Sequence, residues 1–219
     1  MVVPDESSPS KDSLRARLRA RRDALPAAAR AAWSEHLAEL GAPALRERSG
    51  AGAIVAAYWP LRGEADPRPL ARALQVAGAS LALPVVEGQT MRFRAWGGGD
   101  HDLVPAGFGT FGPGPSAPWV EPTLLLMPLL GFDAAGQRLG WGQGHYDRYL
   151  AARAAANTRP FGCGIAFACQ QVAAIPSEPH DVRLDAVLTE QGLLVPASAP
   201  AMPTAEDRYP CGTPRRRRS

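Results

Sequence analysis

TLLLMPLLGFDAAGQRLGWGQGHYDRYLAAR, residues 123–153, decides the fold of this 219-residue chain. It opens on TLLLMP, apolar without alternation, which is the pattern of a central strand buried on both faces. It ends on a segment, from about His145 to Ala156, that reads as helix. Between them, residues 131–150 hold five glycines beside two Arg, one His, two Tyr and two Asp. Strand, glycine loop and helix in that order form a unit of a parallel α/β sheet. Backbone N–H groups at such a helix start bind anions, and glycines let a phosphate come close. The spacing of Gly140, Gly142 and Gly144 is G-x-G-x-G, which is neither a P-loop nor a dinucleotide fingerprint. On glycine content alone, a generic Gly-rich turn explains the loop equally well.

Working outward, the same alternation continues. A basic helix is expected from about Ser13 to Ala24, with Leu14 and Leu18 one turn apart. Pro26 suits the first turn of a second helix, in which Trp33, Leu37 and Leu40 recur at helical spacing and Gly41 reads as the terminator. Ile54–Pro60 reads as a short buried strand. Asp66 then reads as the N-cap of a third helix, with Pro67 in its first turn. SLALPVV (80–86) and MRFRAW (91–96) read as strands, the second half-exposed. Residues 97–122 form a long Gly/Pro-rich stretch without regular structure. FGCGIAFA (161–168) and LDAVLTE (184–190) complete the strands. The expected fold is α/β with a mainly parallel sheet, in a single domain over residues 11–196. Residues 1–10 and the Pro/Arg-rich 197–219 are expected to be disordered tails.

Charge and composition exclude several classes. The formal charge is +3, but the arginines at 215–218 supply four positives, so the rest carries −1 (3 − 4). The body is not a nucleic-acid binder by charge. No secretory signal is visible at the start, and no run approaches the roughly 18 apolar residues of a membrane span. Cys163, Cys169 and Cys211 are odd in number and lack zinc-like pairs, which suits a reduced, cytoplasmic protein. Lys11 is the single lysine among 24 basic residues. An ammonium is a compact point charge and a guanidinium a planar fork, so the survivor is a candidate for a tight site. One leftover surface lysine is the plain alternative.

The motif LLGFDAAGQRLGWGQGHYDRYL closely resembles the signature of the 5-formyltetrahydrofolate cyclo-ligase family, also called 5,10-methenyltetrahydrofolate synthetases. KDSLR at 11–15, YWPLRGEADPRPL at 58–70 and PSEPHDVRLDAVLTE at 176–190 resemble further family segments, in the family's order. Only His145 departs, standing where the family has the first of two aromatic residues. The resemblance spans about residues 11–195. It implies a three-layer α/β/α sandwich related to the ribose-isomerase and CoA-transferase group. It also implies a monomeric enzyme that uses ATP and Mg²⁺ to close 5-formyltetrahydrofolate, polyglutamylated or not, into 5,10-methenyltetrahydrofolate, releasing ADP and phosphate.

By the resemblance, Lys11, Arg138 and Tyr146 carry the catalysis. The nucleotide contacts fall on Lys11, Arg15, Arg138, Leu139, Gly140, Trp141, Gly142, Gln143, Gly144, His145 and Tyr146. The folate contacts fall on Trp59, Glu64, Gln143, Gly144, His145 and Tyr146, with Glu64 on the pterin edge. Asp147 and Asp185 match the magnesium carboxylates. Each has a bland alternative. Lys11 and Arg15 share a helix face with other arginines and would serve as a solvated basic surface. Asp147 would charge-stabilise a helix start, Glu64 would be an ordinary loop acid, and Tyr146 and Trp141 would fill core. His180 and Asp181 read as a structural pair before the last strand. Three rival functions remain: another ATP-using folate enzyme, a folate or nucleotide binder without catalysis, and a nucleic-acid contact through the Arg-rich tail.

Overall fold

The computed structural model describes residues 10–49, 52–61, 63–101, 103–107 and 109–197. Of the tails expected at 1–10 and 197–219, residues 1–9 and 198–219 lie outside the described residues, and Ser10 is the N-cap of the first helix. The helices are α1 (Lys11–Asp23), α2 (Ala27–Ser49), α3 (Arg68–Val76) and α4 (His145–Ala155). The strands are β1 (Ile54–Ala56), β2 (Ser80–Glu87), β3 (Thr90–Trp96), β4 (Leu103–Pro105), β5 (Phe111–Pro113), β6 (Trp119–Val120), β7 (Leu124–Pro128), β8 (Gly131–Phe132), β9 (Arg138–Leu139), β10 (Phe161–Ile165), β11 (Ala186–Thr189) and β12 (Gly192–Leu194).

Eight strands form one sheet in the order β12-β11-β10-β7-β1-β2-β3-β6. The pairs from β11 through β2 are parallel, and antiparallel pairs close both margins. Strand β7 sits at the centre, and its side chains divide as a doubly buried strand requires. Leu124 and Leu126 enter one core with α2 and α3 residues such as Leu37, Leu45, Leu70 and Leu74. Leu125 and Met127 enter the other, with Phe93 and Leu150 of α4. The architecture is therefore helix, sheet, helix, as the resemblance implied. Helix α1 lies outside these layers. Leu14 and Leu18 seat it in a smaller cluster with Leu139 and Ile175.

Several sequence expectations are corrected. Helix α1 begins at Lys11, because Ser10 caps it: its Oγ accepts from Ser13 N at 3.2 Å. Helix α2 does not stop at Gly41 but runs on to Ser49. Gly41 is there for close approach. A Cβ at that position would lie 2.3 Å from Leu188 Cδ2 and 3.2 Å from Leu70 Cδ1, so the glycine lets the helix lie against the sheet. Pro43 is tolerated because it sits on the exposed side of that helix. Asp66 stands one residue before the Pro67 N-cap, although its Oδ1 does accept from Arg68 N at 2.9 Å. The Gly/Pro-rich stretch contains the β4–β5 hairpin and edge strand β6, and β12 was not expected at all.

Candidate active site

The glycine loop leaves β7, forms the small β8–β9 hairpin, and enters α4 through Gly144. Gly144 has φ +65°, in the left-handed region that side chains resist. A Cβ there would also meet Arg148 Nη1 at 2.9 Å. Gly144→Ala is expected to cost about 1–2 kcal/mol from the backbone alone and to lower the thermal midpoint. A midpoint equal to wild type would show that the loop adapts without strain.

Helix α1 brings Arg15 to this loop and Lys11 to the segment before β11. Arg15 Nε donates to Gly140 O at 3.0 Å and Nη1 to Asp12 Oδ1 at 2.5 Å, so the guanidinium lies along the glycines. Lys11 Nζ lies 2.7 Å from Asp181 Oδ2 and 3.2 Å from Glu178 Oε1. Burial pulls the ammonium's pKa down, but these two hydrogen bonds and their charges outweigh it, and the net shift is upward. For Asp181, burial pushes upward, but the bonds from Lys11 and from Glu178 N prevail and hold it below its ordinary value.

Arg138 is nearly buried, its side chain 5% exposed, and Nη2 donates to Asp147 Oδ1 at 2.7 Å. Val182 N donates to the same oxygen at 3.3 Å. Arg138 Nε is buried and has no hydrogen-bond partner among the described residues. A buried donor left unpaired costs about 1–3 kcal/mol, so it calls for an explanation. The Arg138 guanidinium also sits 5.6 Å from the Tyr146 ring centre. Burial pushes the Tyr146 phenol far above its ordinary value, with Arg138 opposing and Glu64 adding. Tyr146 is thus a neutral hydroxyl near both charges.

Glu64 follows β1, and both its oxygens are engaged. Oε2 accepts from Leu61 N at 2.8 Å and Oε1 from Trp141 Nε1 at 2.8 Å. Burial pushes its carboxyl upward against these bonds and the Arg22 charge. Trp141, left between ligand contact and core filler by the sequence, therefore links the glycine loop to Glu64. Arg19 and Arg22 stack on its ring at 4.8 and 5.6 Å. Trp59 sits between Phe111, 5.3 Å away, and the Arg68 guanidinium, 4.5 Å from its ring.

Around the glycine loop, Arg15 thus meets Gly140 O, Arg138 meets Asp147 and Tyr146, and Trp141 meets Glu64, while Lys11 meets Asp181 and Glu178. The family 5-formyltetrahydrofolate cyclo-ligase matches residues 7–190. The chain belongs to the 5-formyltetrahydrofolate cyclo-ligase family. A 5-formyltetrahydrofolate cyclo-ligase of Mycolicibacterium smegmatis is 34% identical over 190 residues, covering 82% of this chain and 93% of its own. One from Escherichia coli K12 is 46% identical over 66 residues, 30% of this chain and 35% of its own. The solved Aquifex aeolicus 5,10-methenyltetrahydrofolate synthetase superposes with a TM-score of 0.71 at 24% identity, covering 91% of this chain and 99% of that one. Membership makes the chain an enzyme, a ligase of folate chemistry. No helix among the described residues is long and apolar enough to cross a membrane.

Within this cyclo-ligase, two assigned residues stand apart. The Leu139 side chain is core, buried with Leu14, Leu18 and Ile175, and offers no ligand surface. Asp185 does not join Asp147. Arg159 Nη1 donates to both its oxygens at 2.8 Å, and Gly162 N donates to Oδ2 at 2.7 Å, at the starting ends of β10 and β11. Gln143 is exposed, and His145 Nδ1 accepts from Arg148 Nη2 at 3.1 Å. Sequence reasoning missed Asp181 as a partner of Lys11. Its only signal was an acid beside His180, four residues before Asp185.

Proposed function

We propose that this ligase cyclises 5-formyltetrahydrofolate with ATP and magnesium. The observation that carries the reading is Arg138: a buried guanidinium with an unpaired Nε, set beside Asp147 and behind the glycine loop. Its charge lies against the glycine loop, with Nη1 3.8 Å from where a Cβ on Gly140 would sit, and so favours a phosphate at that loop. The formyl oxygen of the substrate attacks the γ-phosphorus of ATP, the bond to the β-bridging oxygen breaks, and ADP leaves. The N5 lone pair moves toward the formyl carbon and N10 attacks that carbon. The C–O bond then breaks, inorganic phosphate departs with its electron pair, and the N10 proton is lost to solvent. Lys11, Arg15 and Arg138 balance the charge on the phosphates and hold them in line, where positioning and electrostatics do most of the work.

Of the two expected magnesium carboxylates, Asp147 fits. Among the described residues, both of the hydrogen bonds it accepts fall on Oδ1, leaving Oδ2 for a cation that commonly takes one or two carboxylates plus phosphate oxygens and water. Asp185 does not fit while Arg159 and Gly162 hold both its oxygens. An ion held by Asp147 would neutralise charge on the phosphates.

Glu64, Tyr146 and Trp59 serve the folate. Glu64→Gln removes the charge from a buried acid. A carboxyl whose folded pKa is raised loses stability as pH rises from its unfolded pKa, so at neutral pH Glu64 costs stability. The Gln variant is expected to raise the folate KM about tenfold, the loss of one charge-assisted bond. The ATP KM should rise less than the folate KM, and the thermal midpoint should not fall. An effect on ATP equal to that on folate would refute the assignment. The reaction itself is tested by the absorbance of the methenyl product, with ATP or magnesium omitted in turn. Product formation without ATP would end the proposal.

A further inference from the structure

We propose that Arg22 is a positioning residue of the folate site. Its buried guanidinium braces the Trp141 indole and supplies the charge that keeps Glu64 an anion for the pterin edge. The inference rests on the reading that Glu64 serves the folate.

Arg22 ends the helix face that meets the glycine loop. Arg15, Arg19 and Arg22 follow one another at spacings of four and three along α1, on one side of the helix. Arg15 Nε donates to Gly140 O at 3.0 Å, and the Arg19 and Arg22 guanidinia lie 4.8 and 5.6 Å from the centre of the Trp141 ring. Trp141 Nε1 in turn donates to Glu64 Oε1 at 2.8 Å. A second route reaches the same acid. Arg22 Nε and Nη2 donate to Asp23 Oδ1 at 3.1 and 3.0 Å. That oxygen lies 3.3 Å from where a Cβ on Gly63 would sit, against the residue before Glu64.

A structural role alone explains the arginine poorly. A cation suits the last turn of α1, but the exposed Arg21 provides one there from solvent. Arg22 is 1% exposed, and a buried guanidinium is costly unless opposite charge faces it. Its pair with Asp23 is to the next residue in the chain, with a side chain 47% exposed, and such pairs add little stability. The acid beyond the indole is Glu64.

Burial raises the Glu64 carboxyl, against the bonds from Leu61 N and Trp141 and the charge of Arg22. Burial likewise raises the neighbouring Tyr58 phenol, and Arg22 opposes it there too. Among the described residues, the other ionisable groups around this loop are Tyr58 and Asp66 after β1, Tyr146 of α4, Asp23 and Arg19 of α1, and Arg30 of α2. Of the three cations, Arg22 is the buried one. A pterin edge offers N–H donors, which an ionised carboxylate accepts and a protonated one meets with its own proton. Folate affinity through Glu64 is therefore present above the carboxyl's pKa and lost as pH falls through it. Without Arg22 that loss begins at a higher pH.

The experiment measures folate KM, ATP KM and thermal midpoint between about pH 6 and 9 for wild type, Arg22→Met, Arg22→Lys, Glu64→Gln and Arg22→Met/Glu64→Gln. Met keeps apolar packing on the indole and removes the charge. Arg22→Met is expected to raise the folate KM about tenfold at the acid end, the size expected for Glu64→Gln, and to approach wild type at the alkaline end. The ATP KM should stay within about twofold throughout, since Arg22 lies outside the phosphate set. Arg22→Lys, which keeps a charge, should return most of the wild-type profile. In the Glu64→Gln background, Arg22→Met should add no pH dependence, because its effect runs through the acid. A folate KM profile of Arg22→Met parallel to wild type would overturn the proposal, and so would an equal acid-side loss in the Glu64→Gln background. Thermal midpoints read the same coupling even where Arg22→Met folds weakly. Glu64→Gln should recover part of the midpoint that Arg22→Met loses, and no recovery would also overturn it. If Glu64→Gln leaves the folate KM unchanged, the reading of Glu64 fails and the proposal with it. If Glu64→Gln raises it and Arg22→Met does not, only the proposal falls.

Discussion

Lys11→Ala is expected to lower kcat/KM for ATP about a hundred- to a thousandfold, the loss seen when one preorganised donor to a developing charge is removed. Lys11→Arg should recover only part of this. The ammonium fits between Asp181 Oδ2 and Glu178 Oε1 at 2.7 and 3.2 Å. A guanidinium is a larger planar fork and, meeting two carboxylates, pairs with them instead of sharing its protons with phosphate. The expected loss for Arg is about 1–3 kcal/mol in transition-state binding.

Stability should change little in either variant, and the pH range in which that holds follows from the shifts. Asp181 is held below its ordinary value, so its contribution is present above the unfolded carboxyl range, about 4, and is lost as pH falls through the folded value. Lys11 is held above its ordinary value, so its contribution is complete below about 10 and is lost as pH rises past the folded value. Between about pH 5 and 9 the pair is constant. Thermal midpoints of wild type and Lys11→Ala measured across that range should therefore run parallel. Kinetics for Lys11→Arg equal to wild type would mean that the lone lysine is an accident of composition.

The fold was legible where burial alone dictates pattern. An unalternating run such as Leu124–Met127 suits a strand buried on both faces, and its side chains do divide between the two cores. Gly41 was misread because a helix-ending glycine and one chosen for close approach look alike in sequence. Only Leu188 and Leu70, distant in the chain, decide between them. The β4–β5 hairpin was hidden because its strands are three residues each and rich in Gly and Pro.

The candidate site divides in the same way. The glycine loop and Lys11 were found by motif. The pairing of Asp181 with Lys11 spans 170 residues, and no local spacing reveals it. Asp185 carried the same motif-level signal as Asp147, but Arg159 and Gly162 N engage it. An acid's neighbours decide whether it is a ligand or a strut, and those neighbours come from other segments.

That distinction makes Asp147 the sharpest test of the metal reading. Asp147→Asn keeps the shape of the side chain, and an amide oxygen can still accept from Arg138 Nη2 and Val182 N. The fold should survive, with the midpoint lowered by the loss of one charged hydrogen bond to a nearly buried guanidinium, about 1–3 kcal/mol. Turnover should fall about a hundredfold or more if the carboxylate helps hold the ion that neutralises phosphate. Two readings of Asp147 predict different nucleotide binding. If it only orients Arg138 and charges the first turn of α4, the Asn variant should bind ATP more weakly by the same factor with magnesium and with chelator. If it binds the ion, the variant should lose the strengthening that magnesium gives to ATP binding. Binding in chelator should then hold or improve, because Arg138 no longer shares its charge with a carboxylate. Titration calorimetry of wild type and Asp147→Asn with ATP, in magnesium and in chelator, separates them. An Asn variant whose ATP binding still tightens with magnesium as in wild type would remove Asp147 from the metal site.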